Sequence, residues 1–147
     1  RLLQGLIVLA WASVVLDIAW TPPRVGLLLV SVAGGTCLFI GLFVLQATLA
    51  FWTTETLEIA NTVTYGGVET AQYPLAIYRP WFRTIFIYVV PLGAVSYFPA
   101  MAILGKADPL GSGALFQWLA PLIGVAFLLM ALQVWGVGVR HYRSTGS

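Results

Sequence analysis

Charge is what this sequence has least of. Only 8% of its 147 residues are charged, seven Lys or Arg and five Asp or Glu, where a soluble domain carries about a quarter. That shortage excludes a water-soluble fold for most of the chain. A net charge of +2, scattered along the sequence, excludes a nucleic-acid surface. There is one cysteine, Cys37, which forms no internal disulfide and reads as a small apolar packing residue. The one histidine, His141, has no companions with metal-ligand spacing, so no metal is expected. A GxxxxGK[ST] pattern is missing, so Gly105-Lys106 is not a phosphate loop, and any energy for work must come from another protein. No pair of reactive polar residues faces another, which leaves neither an enzyme site nor a cofactor. Strict alternation is missing too: GLLLV and AFLLMAL run on without it, which excludes a transmembrane β-barrel. No signal-peptide layout is visible. The sequence opens at Arg1 and its first apolar stretch at Leu2, so it reads as part of a longer membrane protein, entered just before a helix.

Apolar residues are what it has in plenty: 60% of the chain, with a mean hydropathy of +0.93. They gather in four stretches, 2–20, 25–50, 81–104 and 114–139. Each is near or above the roughly 18–20 residues that carry a helix across ~30 Å of hydrocarbon. A chain in lipid must satisfy its own backbone hydrogen bonds, so the expected fold is all-α: a single transmembrane helical bundle with four crossings. Four crossings put both termini on one side, with the loop 51–80. That side carries Arg1, Arg79, Arg83, Arg140 and Arg143; the other carries only Arg24 and Lys106. The excess of positive charge places termini and long loop in the cytoplasm. Trp20, Tyr97 and Trp118 fall at the outer edge, and Trp52, Tyr73, Tyr78, Trp81, Trp135 and Tyr142 at or near the inner one, as interfacial anchors. Outside, 21–24 is a tight turn with Pro22-Pro23, and GKADPLGSG is turn chemistry throughout. Asp17 lies close enough to that turn to reach water, with Arg24 as its expected partner. Ser31, Ala33, Gly34, Gly35 and Gly41 give the second crossing small residues for close helix packing.

Two segments break this regularity. The third stretch contains Pro91 and Pro99, each of which removes a backbone donor and crowds the preceding turn. A kink is expected near Pro91. Pro99 is expected to end the helix and leave 100–104 as a short outer segment. The loop 51–80, about 30 residues, is too long for a simple connection. On a helical wheel 51–65 places Trp52, Thr56, Ile59, Ala60 and Val63 on one stripe and Thr54, Glu55, Glu58, Asn61 and Thr62 opposite; Leu57 does not fit. The expectation is an amphipathic helix on the inner surface, ended by Gly66-Gly67, with Pro80 as the first residue of the next helix. Lipid-binding helices present Lys or Arg. This one presents Glu55 and Glu58, with Glu69 beyond, a face suited to a protein partner or, more plainly, to a solvated spacer.

The run FWTTETLEIANTVTYGGVETAQYPLAIYRPWFRTIFIYVVPLGAVSYFPAMAILG resembles the C-terminal half of an ABC type-2 permease of one bacterial branch. The features that carry the resemblance are Phe51-Trp52 after a crossing, Glu55 or Glu58, Asn61, Tyr73-Pro74, the proline-interrupted helix at Pro91, Phe98-Pro99-Ala100, and the short basic tail HYRSTGS. It covers residues from about 34 to 147. The resemblance implies a permease of six crossings, of which this chain supplies the last four, in the bacterial inner membrane. It implies a separate ATP-binding ABC subunit and a second permease chain, forming a homo- or heterodimer, with ATP-driven movement of a substrate, most often export. Glu55, Glu58, Asn61 and Glu69 would then couple the chain to the ATPase, and Pro91 and Pro99 would shape a gate. The rival reading is a non-transporting membrane scaffold that docks a cytoplasmic protein through the acidic loop helix.

Overall fold

A computed structural model describes residues 2–49, 65–66, 73 and 79–141, and among them every regular element is helical. They are α1 (Leu2–Val15), α2 (Pro22–Leu49), α3 (Pro80–Thr84), a π-helical turn (Ile85–Val89), α4 (Leu92–Val95), α5 (Tyr97–Leu104), α6 (Ala114–Leu119) and α7 (Leu122–His141). Two of these, α2 and α7, are long and apolar enough to cross a membrane. At 1.5 Å per residue they reach about 42 and about 30 Å.

The first and last stretches differ from the expectation for reasons visible in the backbone. α1 ends at Val15, not near residue 20. Asp17 adopts a left-handed conformation (φ 49°), and the N–H groups of Asp17 and Ile18 donate back to the carbonyls of Val14 (3.3 Å) and Ser13 (3.1 Å). This paired return closes a helix, and Asp is one of the few side chains that tolerates the required φ. Pro22 and Pro23 then open α2, where a missing N–H costs nothing. The last stretch is divided at Ala120–Pro121, so that α6 is a separate short helix.

α2 and α7 form the frame. Leu27, Gly34, Leu38, Gly41 and Thr48 are buried along one side of α2, and Gly124, Phe127, Ala131 and Gly138 along one side of α7. Spacings of three, four and seven keep one face toward the neighbour. Small residues let the backbones close: a Cβ at Gly34 would collide with the Pro121 carbonyl, one at Gly124 with the Gly34 carbonyl, and one at Gly41 would lie 2.9 Å from Phe127 Cδ1. Of the small residues expected to pack, Gly34 and Gly41 do so, whereas Ala33 is exposed. As numbers rise on α2 they rise on α7, so the two helices run parallel. The segment 80–104 runs the opposite way: Val95 lies at Gly35 and Gly124, and Gly105 lies at Arg24. It supplies Val90, Leu92, Ala94, Val95, Tyr97 and Phe98 to a core shared with Leu38, Leu42 and Phe127. The outer surface is apolar, with Leu3, Trp11, Val14, Leu29, Val32, Leu129 and Val137 all exposed, as expected where the solvent is hydrocarbon. Between helices in that medium, close packing rather than water exclusion holds the bundle.

Candidate functional site

The segment between the two frame helices is where backbone regularity fails. Pro80 opens α3, and Thr84 Oγ1 donates to its carbonyl at 2.9 Å. The chain then widens into the π turn, closed by Val90 N–H to the Ile85 carbonyl at 2.9 Å. Val90 leaves helical geometry (φ −119°, ψ 89°). Pro91 (φ −73°, ψ 52°) occupies the centre of an inverse γ-turn, and Leu92 N–H donates to the Val90 carbonyl at 2.6 Å. A second interruption falls at Ser96 (φ −120°), whose Oγ donates to the Leu92 carbonyl at 2.8 Å.

Pro91 therefore sits at a full break. Pro99 has a different place from the one expected. It is the third residue of α5, buried to under 2% exposure, and α5 continues past it to Leu104. In the first turn a proline removes no helical hydrogen bond, so Pro99 is compatible with α5 rather than its terminator. Gly105, in the left-handed conformation (φ 64°), ends that helix instead, with returns from Gly105 N–H to Ala102 and Lys106 N–H to Met101, both 3.3 Å.

Beside the break lies a cavity of about 360 Å³ lined by Ile87, Tyr88, Val89 and Pro91 on one side and Ile123, Ala126, Phe127 and Met130 on the other. A second cavity, about 430 Å³ and almost wholly apolar, lies between α2 and α7 at Ile40, Phe43, Val44, Ala47, Leu132 and Trp135. A third, about 500 Å³, lies at the far end, lined among others by Lys106, Asp108, Ser112, Gln117 and Trp118.

Asp108 organises that far end. Its Oδ1 accepts from Tyr97 Oη (2.7 Å) and Leu110 N–H (2.9 Å), and its Oδ2 from Ser112 N–H (3.0 Å). Partial burial pushes its carboxyl up, but hydrogen bonds from Ser112, Leu110 and Tyr97 outweigh this and hold it below the ordinary carboxylate value. Gln117, buried in α6, donates to Ser112 Oγ (3.0 Å) and its carbonyl (3.3 Å). Edge-to-face contacts of Phe98 with Tyr97 (5.3 Å) and Phe116 (4.9 Å) complete the join. α5, the loop and α6 are thus one hairpin tied by a carboxylate.

Several expected roles change here. Tyr97 is buried at this network rather than serving as a surface anchor, because its hydroxyl has a carboxylate partner. Arg24 Nη1 donates to the Ala19 carbonyl at 2.8 Å, an acceptor exposed by the early end of α1, rather than to Asp17. Trp81 and Tyr73 are exposed. Trp52, Glu55, Glu58, Asn61 and Glu69 lie outside the described residues. Asp108, Gln117 and Pro121 are positions that residue type and spacing alone do not single out. Gln117 had left a signal, an amide inside an apolar run; Asp108 was hidden among ordinary turn residues.

A family model described as ABC-2 family transporter protein matches residues 1–146. The chain belongs to the ABC-2 transporter family. This ABC-2 permease is accordingly a membrane protein and the transport subunit of an ABC transporter, not itself an enzyme, and its family pairs it with an ATP-binding subunit. No curated protein and no solved structure matches the chain.

Proposed function

We propose that this ABC-2 permease is the membrane subunit of an exporter of the bacterial inner membrane, driven by a separate ATP-binding subunit and completed by a second permease chain. Both ends of the chain and the loop 51–80 face the cytoplasm, and Glu55, Glu58, Asn61 and Glu69 meet the ATPase. Pro91 is the gate element, with Pro99 holding α5 behind it. One observation carries the reading. A segment broken at Val90–Pro91 lies against two uninterrupted parallel helices, so that a stiff frame borders an element with few continuous backbone bonds. Elements that move in transport are drawn from such low-stability parts.

The test is the charge reversal Glu55→Lys with Glu58→Lys in the co-expressed complex, read as ATP hydrolysis by the partner and as substrate efflux. The variant inserts normally and loses most stimulation and efflux, because complementary charges fix docking register. Wild-type values for both would make the loop helix a spacer and favour a scaffold.

A further inference from the structure

The cavity of about 500 Å³ at the far end lies level with the end of a membrane-capable helix. Gly105, in its wall, sits against Arg24, the third residue of α2, and the apolar span of α2 begins at Pro22. Its lining is mixed: Lys106, Asp108 and Gln117 bring charge and hydrogen-bonding groups, and Met101, Ala102 and Trp118 bring apolar surface. Beside it, α6 leaves Leu115, Phe116 and Leu119 exposed, Leu115 by 75%. A polar cavity bordered by apolar side chains, with an indole between, is the chemistry of the membrane–water boundary.

Both signs of charge face this space without neutralising each other. Lys106 is exposed and makes no ion pair among the described residues. Asp108 is kept as a carboxylate by Tyr97, Leu110 and Ser112. Arg24, held by the Ala19 carbonyl, adds a second positive charge at that edge. Gln117 supplies an open acceptor. It is only 7% exposed, and its amide cannot be turned round: the Ser112 carbonyl only accepts, so Nε2 must face it. Oε1 then receives no donor from the described residues, yet no unpartnered side-chain oxygen is fully enclosed, so Oε1 opens on the cavity that Gln117 lines. A cation on one group and an acceptor beside a fixed anion on others complement a ligand that carries a phosphate and an N–H cation together.

We propose that this cavity binds the headgroup of a zwitterionic phospholipid, with its phosphate at Lys106, its primary ammonium at Gln117 Oε1 near Asp108, and its acyl chains over Leu115 and Leu119 of α6. Binding is read without transport, so its failure leaves the exporter reading untouched.

The test uses the full chain with its ATP-binding subunit in maltoside detergent, with retained lipid counted by native mass spectrometry. The probes are phosphatidylethanolamine, phosphatidylcholine and phosphatidylglycerol, all with dioleoyl chains, and glycerophosphoethanolamine, which has none. Phosphatidylethanolamine binds about tenfold more tightly than the other two lipids, the scale of one charge-assisted hydrogen bond. Phosphatidylcholine lacks the N–H donors for Gln117, and phosphatidylglycerol lacks the cation. Lys106→Gln weakens phosphatidylethanolamine by about tenfold at an unchanged unfolding midpoint, and Lys106→Arg restores it. Equal affinities for the three lipids, or undiminished binding by Lys106→Gln, would overturn the proposal. Glycerophosphoethanolamine binding as tightly as the lipid would overturn the membrane source and make the occupant a soluble phosphate ester.

Discussion

Asp108 shows how much one residue can hold in a chain with so few charges. Its carboxylate receives three hydrogen bonds, from Tyr97, Leu110 and Ser112. Tyr97→Phe removes one of them and keeps the ring, so it should cost about 1–2 kcal/mol, seen as a lower midpoint in thermal unfolding in detergent. Asp108→Asn should cost more, since it also removes the charge. The pH dependence has a definite sign. The folded carboxyl titrates below its unfolded value, so its stabilisation is fully present above the unfolded value near 4 and is lost as pH falls through the lower folded one. Unfolding midpoints measured from pH 6 down to pH 3 should fall more steeply for the wild type than for Asp108→Asn. Sequence alone classed Asp108 as a turn residue because the donors that make it special come from Tyr97, 11 positions away, and from its own loop. It placed Tyr97 at the surface for the same reason, since the ring's partner was not visible.

At the scale of elements, glycine and proline decide most of the architecture. Gly124→Ala drives a methyl into the Gly34 carbonyl and should separate α2 from α7, costing about 1–3 kcal/mol. Gly136→Ala is the control, because nothing lies within 4 Å of a Cβ there; it should be neutral or mildly stabilising. Pro91→Ala should extend the helix through the break and lower efflux while leaving membrane insertion intact; unchanged efflux would reduce the proline to a packing detail. The helical class, the apolar stretches, the Pro91 break and the close-packing Gly34 and Gly41 were all legible, since each depends on residue type at short range. The early end of α1 at Asp17, the place of Pro99 in a first turn and the cut at Pro121 were not. Each depends on which end of a helix a residue occupies, and hydropathy reports a stretch without its ends. Among the described residues, two helices are long and apolar enough to cross a membrane.

For the whole molecule, the proposed function pairs the frame of α2 and α7 with a segment that moves against it. The proposed orientation predicts that cysteine at Ser144 or Glu69 resists an impermeant thiol reagent in intact cells while cysteine at Ser112 reacts; labelling at Glu69 from outside would reverse the topology. Under the proposed function, the segment broken at Pro91 moves against the pair of α2 and α7 when the ATP-binding partner turns over. The most direct measurement is of spin-label distances in the complete transporter, on a Cys37→Ala background, without nucleotide and with ATP trapped by vanadate. One label pair, Tyr88→Cys with Leu129→Cys, spans the break and α7; the other, Val32→Cys with Leu129→Cys, spans the frame, and all three positions are exposed. The first distance should change between the two states and the second should not. A constant first distance, or equal changes in both, would contradict that function.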